Sequence, residues 1–574
     1  MSCELKTRIP GLLVAFLVAI GAVPQQPRRP QMSVGSVDFS SGQGEVAGFG
    51  FSAAFGQAEK LRQLPEERRR EVLELLFGRE KGAGLTILRL GIETGTTLEA
   101  ADPGGPQAKP RYSFDGSDGG QVWLAEQAQR YGVTDFMADA WTAPAFMKDN
   151  HAKVGGTLCG LAETGCGADW THAFTNYLLQ YVRFYRELRI PIGWLGFSNE
   201  PDANVGYESM RFTPAQAVRM LGVFGPAVRA AGLDLRISCC DATTWVGGAS
   251  YEAAIEADPV KQYVDVVAAH QYGAHAIAPL TDSRPVWMTE WSSGLPNFFP
   301  AWDCNGCVGG PDGMYLAADV VQAFSQGHVN AYVYWWAAGD APATLIHTAA
   351  DATSIAKRFY ALAMVSRYVL PGAVRVAAES PDPEVRVAGF RNPSGARVLA
   401  LVNTANTPKQ MRFRVDEGTA QARVRSVLTD TAHSMAESEG ARLAGGVLTV
   451  AMPRRAMMTV LLSPTAAPGA VKLDAQVKLA RLADGSYQAQ VKVTNEGPGS
   501  AADVRLDGGV LGAASGDAPA SLPLEMGDLA AGGWVGTTLH FSAAAGRPGR
   551  HVTATVSGRW GANPFRSQVQ LVLP

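Results

Sequence analysis

The sequence predicts an α/β protein: a parallel (β/α)8 barrel of TIM type, an antiparallel β-sandwich side domain packed on it, and a C-terminal immunoglobulin-like β-sandwich. Three observations predict this. Eight apolar runs lie between residues 46 and 338, most of them separated by stretches long enough for a helix. The runs are continuous rather than alternating, as strands buried on both faces must be. From about Pro371 the pattern changes to short alternating runs bounded by turn residues, which marks antiparallel sandwiches.

The elements follow in order. Residues 1–22, with Lys6 and Arg8 ahead of an apolar stretch from Gly11 to Val23, read as a signal peptide. The stretch is shorter than the roughly 20 apolar residues that span a bilayer. Residues 23–42 are expected to be a linker plus one strand of the side domain. The barrel is placed at 43–370. Its runs are "VAGFGFSAA" (46–54), "GLTILRLGI" (84–92), "TDFMADAWT" (134–142), "IGWLGFSNE" (192–200), "DLRISCCDA" (234–242), "VDVVAAHQY" (264–272), "PVWMTEWS" (285–292) and "NAYVYWWAA" (330–338). Stretches such as "EERRREVLELLFGRE" and "FTNYLLQYVRFYREL" between them carry apolar residues at helical spacing. Only the interval between the sixth and seventh runs is short, with room for a rudimentary helix at best. The side sandwich is placed at 371–464, "SPTAAPGA" (463–470) reads as a linker, and the C-terminal domain as 471–574.

Composition narrows the function. The net charge of −3 is spread along the chain and offers no footprint for nucleic acid or an anionic membrane surface. Twelve Trp and fifteen Tyr are ample for stacking on flat ligands. Without Cys3, six cysteines remain, an even number that favours disulfides in an exported protein. Cys159–Cys166 and Cys304–Cys307 are the local pairs. "CNGC" has the spacing of a metal knuckle but no second C-x-x-C or His pair accompanies it, so no metal is expected.

A barrel of this type builds its site at the C-terminal ends of its strands. Those ends carry Arg89, Trp141, Asn199 with Glu200, Asp241, His270 with Tyr272, Glu290 and Trp335. Two carboxylates, after strands four and seven, would face one another across the mouth. Glycoside hydrolysis uses such a pair, one to protonate the leaving oxygen and the other to attack the anomeric carbon. Asn199 is placed to hydrogen-bond the sugar 2-hydroxyl.

At these residues the chain resembles glycoside hydrolase family 30, within the clan of barrel hydrolases that split glycosides with retention. The resemblance rests on "GFGFSAAF", "RLGI", "WTAPAFMKDN" followed by "VGGTL", "SNEPD…YES", "AHQYG", "VWMTEW" and "SRYVLPGAVRV", in this order, and covers about residues 35 to 464. It implies Glu200 as general acid/base, with a raised pKa, and Glu290 as nucleophile. Arg89 and Tyr272 would hydrogen-bond Glu290 and keep it ionised, with His270 beside them. Trp141 and Trp335 would wall the nearest sugar subsite. No cofactor is implied.

"SCCDATTW" and "EWSSGLPNFFPAWDCNGC" are similar to the xylan-active branch typical of fungi, which implies a secreted, monomeric xylanase acting on β-1,4-xylan or glucuronoxylan. Such enzymes can read a glucuronic acid branch through a cation, for which Arg111 and Lys148 are the candidates by position. A β-1,6-glucanase or glucosylceramidase-like activity is the alternative within the class. A non-catalytic carbohydrate-binding protein and a structural surface protein are the alternatives outside it. Trp534 and Trp560 could offer the C-terminal domain a sugar-binding row, although a spacer role fits its low aromatic content better.

Overall fold

The computed structural model describes residues 34–92, 99–161, 163–281, 283–294, 296–304, 307, 310–349, 352–463, 469–518 and 522–574. The expected signal peptide, Cys3 and most of the linker at 463–470 lie outside the described residues.

Eight parallel strands close into a barrel: β1 (Gly48–Ser52), β2 (Ile87–Ile92), β3 (Asp135–Ala140), β4 (Ile192–Leu195), β5 (Arg236–Ala242), β6 (Val266–His270), β7 (Val286–Glu290) and β8 (Ala331–Tyr334). Side chains alternate between the barrel interior and the surrounding helices. Inside, Ile87, Met137, Trp194, Val266, Trp287, Ala331 and Val333 form an apolar plug, with the Trp194 and Trp287 rings 4.4 Å apart. Two residues further along the same inward faces stand Arg89 and Asp139. The interior is therefore dry below and charged above.

Two bulges aim the polar layer. Ala269 pairs with Met288 but His270 pairs with Glu290, which makes Thr289 an extra residue in β7. Ala268 pairs with Cys240 and Ala269 with Ala242, which leaves Asp241 as the extra residue in β5. A bulge bends its strand and re-aims the side chains that follow. The sequence pattern carries no trace of either bulge.

The outer layer comprises α1 (Glu66–Phe77), α2 (Gln121–Arg130), α3 (Thr171–Glu187), α4 (Pro214–Ala230), α5 (Trp245–Glu256), α6 (Gly313–Ser325) and α7 (Lys357–Ser366). Thr213 caps α4 in a reciprocal capping box with Gln216, and Pro214 opens it. Between β6 and β7 the described residues contain no helix. Instead Asp319 of α6 accepts hydrogen bonds from Gln271, Tyr332 (2.6 Å) and His275 (2.7 Å), tying the short connection down.

The side sandwich spans Ala373–Glu379 to Ala456–Ser463 and includes an N-terminal strand, Gly35–Asp38, between Ala373–Glu379 and Lys409–Val415. The C-terminal unit is an antiparallel sheet running from Leu473–Arg481 to Asn563–Val572 around its own core. It docks under the barrel. His540 bonds the carbonyl of Arg130 at the end of α2 (2.5 Å), Gln488 that of Gln129, and Arg189 after α3 reaches Leu482 O (3.3 Å). Trp534 N and Ala530 N bond Pro393 O and Ser394 O of the side sandwich (3.1 and 3.0 Å). The contacts to Gln129, Arg130 and Arg189 fall on the turns that enter barrel strands, at the end of the barrel opposite the strand C-termini.

The two tryptophans considered for sugar binding do not form an exposed row. The Trp534 ring is half-buried at the junction, beneath the Lys492 ammonium (4.5 Å) and against Gly372, and Trp560 packs on the C-terminal core. Among the described residues the disulfides are Cys159–Cys166, Cys304–Cys307 and the adjacent pair Cys239–Cys240.

Candidate active site

Arg89 is the hub. It sits inside β2, fully buried, and points up the barrel axis. Its Nη1 donates to Glu290 Oε2 (2.6 Å), and its Nη2 donates to Asp139 Oδ2 (2.7 Å) and Asn199 Oδ1 (2.6 Å), with Asp241 Oδ1 at 3.5 Å. A planar guanidinium suits this work because its donors diverge in fixed directions.

Glu290 is the last residue of β7 and is 4% exposed. Besides Arg89 it accepts from Tyr272 Oη (2.9 Å) at Oε1. Glu200 lies five residues past the end of β4, in a turn where its own φ is 47°. Its backbone N–H bonds Asp241 O (2.9 Å), whose φ is 56°. Non-glycine residues in this left-handed region are strained and cluster at functional sites. Glu200 accepts Tyr207 Oη at Oε2 (2.6 Å) and faces His270 Nδ1 at Oε1 (3.2 Å). One carboxylate oxygen from each glutamate and a ring nitrogen of His270 all lie within 4.8 Å of one another.

His270 ends β6, fully buried, with Nε2 3.5 Å from Asp241 Oδ1 and Nδ1 4.0 Å from Glu290 Oε1. Burial disfavours its charged form, but Glu290, Asp241 and Glu200 outweigh burial and push its pKa up to about 10. Burial raises Glu290, and the charges of His270 and Arg89 do not fully offset it, so Glu290 lies above the usual carboxylate range. Burial also works on Glu200, but the donors His270 and Tyr207 win and hold it below that range. This is the reverse of the raised acid and lowered nucleophile that the resemblance implied. The cause is the position of His270, which bonds Glu200 directly and reaches Glu290 only at longer range.

The aromatic residues divide by exposure. Trp141, directly after β3, is 1% exposed, with the Arg89 guanidinium 4.6 Å over its face and the Trp335 ring 5.8 Å away. Trp335 and Trp336, stacked at 4.9 Å after β8, are half-buried and present the open wall. Phe55, on the loop after β1, sets its edge against Trp141 (5.8 Å), Tyr207 (5.8 Å) and Trp335 (6.0 Å).

The nine residues expected at the strand ends, Asp241 among them, thus gather at one mouth. Sequence reasoning missed Asp139, Tyr207, Phe55 and Trp336. Asp139 had a signal, as a lone acid inside the apolar run "TDFMADAWT". Lys148, a candidate reader of glucuronic acid, is buried and gives Nζ to Thr142 Oγ1 (2.8 Å), Ser209 O (2.8 Å) and Lys153 O (3.1 Å). It clamps two loops together and does not reach the cleft. Arg111 is exposed on the hairpin of Glu99–Ala101 and Arg111–Ser113.

A closed parallel barrel with two facing carboxylates at its mouth is the arrangement that glycoside hydrolysis requires. Residues 46–350 match the model of glycosyl hydrolase family 59, and residues 372–460 match the β-sandwich domain of glycosyl hydrolase family 30. The catalytic domain of GH30 xylanase C from Talaromyces cellulolyticus is a solved structure similar to this chain over that domain's whole length. It is 32% identical, with a TM-score of 0.70 over 75% of this chain and 100% of that one. The glucuronoxylanase XynC of Bacillus subtilis strain 168 is 21% identical over 351 residues, 60% of this chain and 77% of that protein. The endo-1,6-β-D-glucanase BGN16.3 of Trichoderma harzianum is 27% identical over 223 residues, 36% of this chain and 45% of that protein. The chain belongs to glycoside hydrolase family 30.

Proposed function

We propose that this glycoside hydrolase is a secreted xylanase that cleaves β-1,4-xylan or glucuronoxylan with retention. Glu290 is its nucleophile and Glu200 its acid/base. The observation that carries the retaining reading is that one oxygen of each carboxylate lies within 4.8 Å of one oxygen of the other. Retaining enzymes keep the pair about 5–5.5 Å apart, whereas inverting enzymes need about 6.5–9.5 Å to admit a water. Glu290 attacks the anomeric carbon while Glu200 protonates the departing oxygen. Glu200 then takes a proton from the water that releases the sugar. Arg89 and Tyr272 orient Glu290 through both its oxygens, and Asn199, fixed by Arg89, faces the sugar 2-hydroxyl.

The xylan assignment is supported by the likeness to the Talaromyces xylanase and to the Bacillus glucuronoxylanase. The Trichoderma relative favours a second reading, a β-1,6-glucanase with the same mechanism. Product profiles of the purified protein on glucuronoxylan, arabinoxylan and linear β-1,6-glucan test both. Xylo-oligosaccharides released as the β-anomer support the proposal. Gluco-oligosaccharides would replace the substrate, and an α-anomeric first product would remove the retaining mechanism.

A further inference from the structure

The resting arrangement poses a proton problem for an acid/base residue. Both oxygens of Glu200 are engaged: Oε2 accepts from Tyr207 at 2.6 Å, and Oε1 lies 3.2 Å from His270 Nδ1. Donors at both oxygens favour the carboxylate, which suits the base of the second step better than the acid of the first. The proton needed for bond cleavage must then be held next to Glu200. Two groups touch its oxygens. Tyr207 is held above its ordinary pKa by burial and by Glu200, so its phenol keeps its proton. The imidazole of His270 is the other.

We propose that His270 is the proton store of the acid/base, passing Nδ1–H to Glu200 Oε1 as the glycosidic bond breaks and recovering it during deglycosylation. The inference rests on the reading of Glu200 as acid/base. In the first step the His270 proton moves to Glu200 and on to the glycosidic oxygen. The C1–O bond breaks with its electron pair on that oxygen, and a Glu290 oxygen bonds C1. Neutral His270 and ionised Glu200 remain. In the second step a water oxygen bonds C1, the bond from C1 to Glu290 breaks, and the water proton returns through Glu200 to His270 Nδ1.

The surroundings fit a reservoir. The imidazole faces Glu200, Asp241 Oδ1 (3.5 Å) and Glu290 Oε1 (4.0 Å), and the Tyr272 ring lies at 6.1 Å. Arg89, bonded to Glu290 and Asp139, is the only other cation of this cluster among the described residues. Asp139, which also senses the His270 charge, is raised well above its usual range by burial and by Asp241. Forming the glycosyl ester removes the Glu290 charge and with it part of the field that retains the His270 proton. His270 in this role is a positioning residue: it acts on substrate through Glu200.

A titration of histidine-labelled protein by nitrogen NMR needs no substrate, with His270→Gln assigning the resonance among nine histidines. The free wild type at pH 8 should show both His270 ring nitrogens protonated, and a neutral single tautomer there would overturn the inference. Kinetics give the second arm, with phenyl and 2,4-dinitrophenyl β-xylobiosides as probes. His270→Gln should lose about 100-fold in kcat/KM on the phenyl glycoside, as loss of proton donation does. It should cost the dinitrophenyl glycoside much less, by at least roughly tenfold, and shift the alkaline limb of the phenyl profile to lower pH. Equal losses on both, with an unmoved limb, would reduce His270 to a structural part. Glu200→Gln runs in parallel. If it too fails to discriminate the leaving groups, the acid/base reading itself falls, whereas discrimination by Glu200→Gln alone removes only His270.

Discussion

Replacing Arg89 with Met would expose how much of the site rests on one guanidinium. The side chain is fully buried, and its two terminal nitrogens serve Glu290, Asp139 and Asn199 at 2.6 to 2.7 Å. Removing one partner of a buried ion pair costs about 3–5 kcal/mol, because the other charge is left uncompensated. Arg89→Lys keeps a charge but cannot reach all three acceptors at once. It should lose about 1–3 kcal/mol for the acceptor it abandons. Urea unfolding at pH 7, read by the fluorescence of the barrel tryptophans, should rank wild type above Lys and Lys above Met. In the Met background Asp139→Asn should recover part of the loss, since it removes one of the stranded carboxyls. A Met variant within about 1 kcal/mol of wild type, or a Met–Asn double variant no better than the single, would refute the hub assignment. Activity gives a second reading. A hydrogen bond to a charged group is worth about 1.5–3 kcal/mol, so kcat/KM should fall by roughly 10- to 150-fold even for the Lys variant.

Three further outcomes follow from the same geometry. Glu290→Ala should be folded and inactive, and azide should restore turnover of an activated aryl glycoside with an α-linked product; a β-linked product would exclude Glu290 as nucleophile. Tyr207→Phe removes one of the two donors that hold Glu200 low, so the Glu200 carboxyl followed by carbon NMR should titrate at higher pH than in wild type; an unmoved titration would show that Tyr207 does not set it. Asp118 is pushed up to about 6 by burial, against hydrogen bonds from Tyr181, Tyr185 and Gln121. A raised carboxyl favours the fold below its unfolded value of 3.8 and loses that contribution as pH rises through about 6. The stability of wild type relative to Asp118→Asn should therefore decline between pH 4 and pH 7, and a constant difference in melting temperature would contradict this.

The barrel was legible because a strand buried on both faces must be written as a continuous apolar run, whatever its partner. Glu290 was legible for a related reason, as a carboxylate at the abrupt end of such a run. Tyr207 was not, because a loop tyrosine near an acid looks like any surface aromatic until the turn at Glu200 fixes its direction. The order of the two glutamate pKa values was unreadable for a deeper reason. It depends on which carboxylate the His270 imidazole touches, and that depends on the bulge at Thr289, a pairing between strands that no local pattern encodes. Lys148 misled because its loop is near the mouth, while one of the carbonyls that claim its ammonium, Ser209 O, belongs to a distant stretch of chain.

The docking of the C-terminal sandwich bears on how this enzyme can be dissected. Barrel and module face one another across a cavity of about 750 Å³, with Phe77, Tyr131 and Leu370 on one side, Val491, Trp534 and Val535 on the other, and Arg79, Glu80, Lys492 and Glu525 among its walls. Cutting the chain at the linker would leave those apolar groups, and the carbonyls of Gln129, Arg130, Pro393 and Ser394, facing solvent without their partners. The shortened enzyme would keep its chemistry intact at one pole while gaining an adhesive surface at the other.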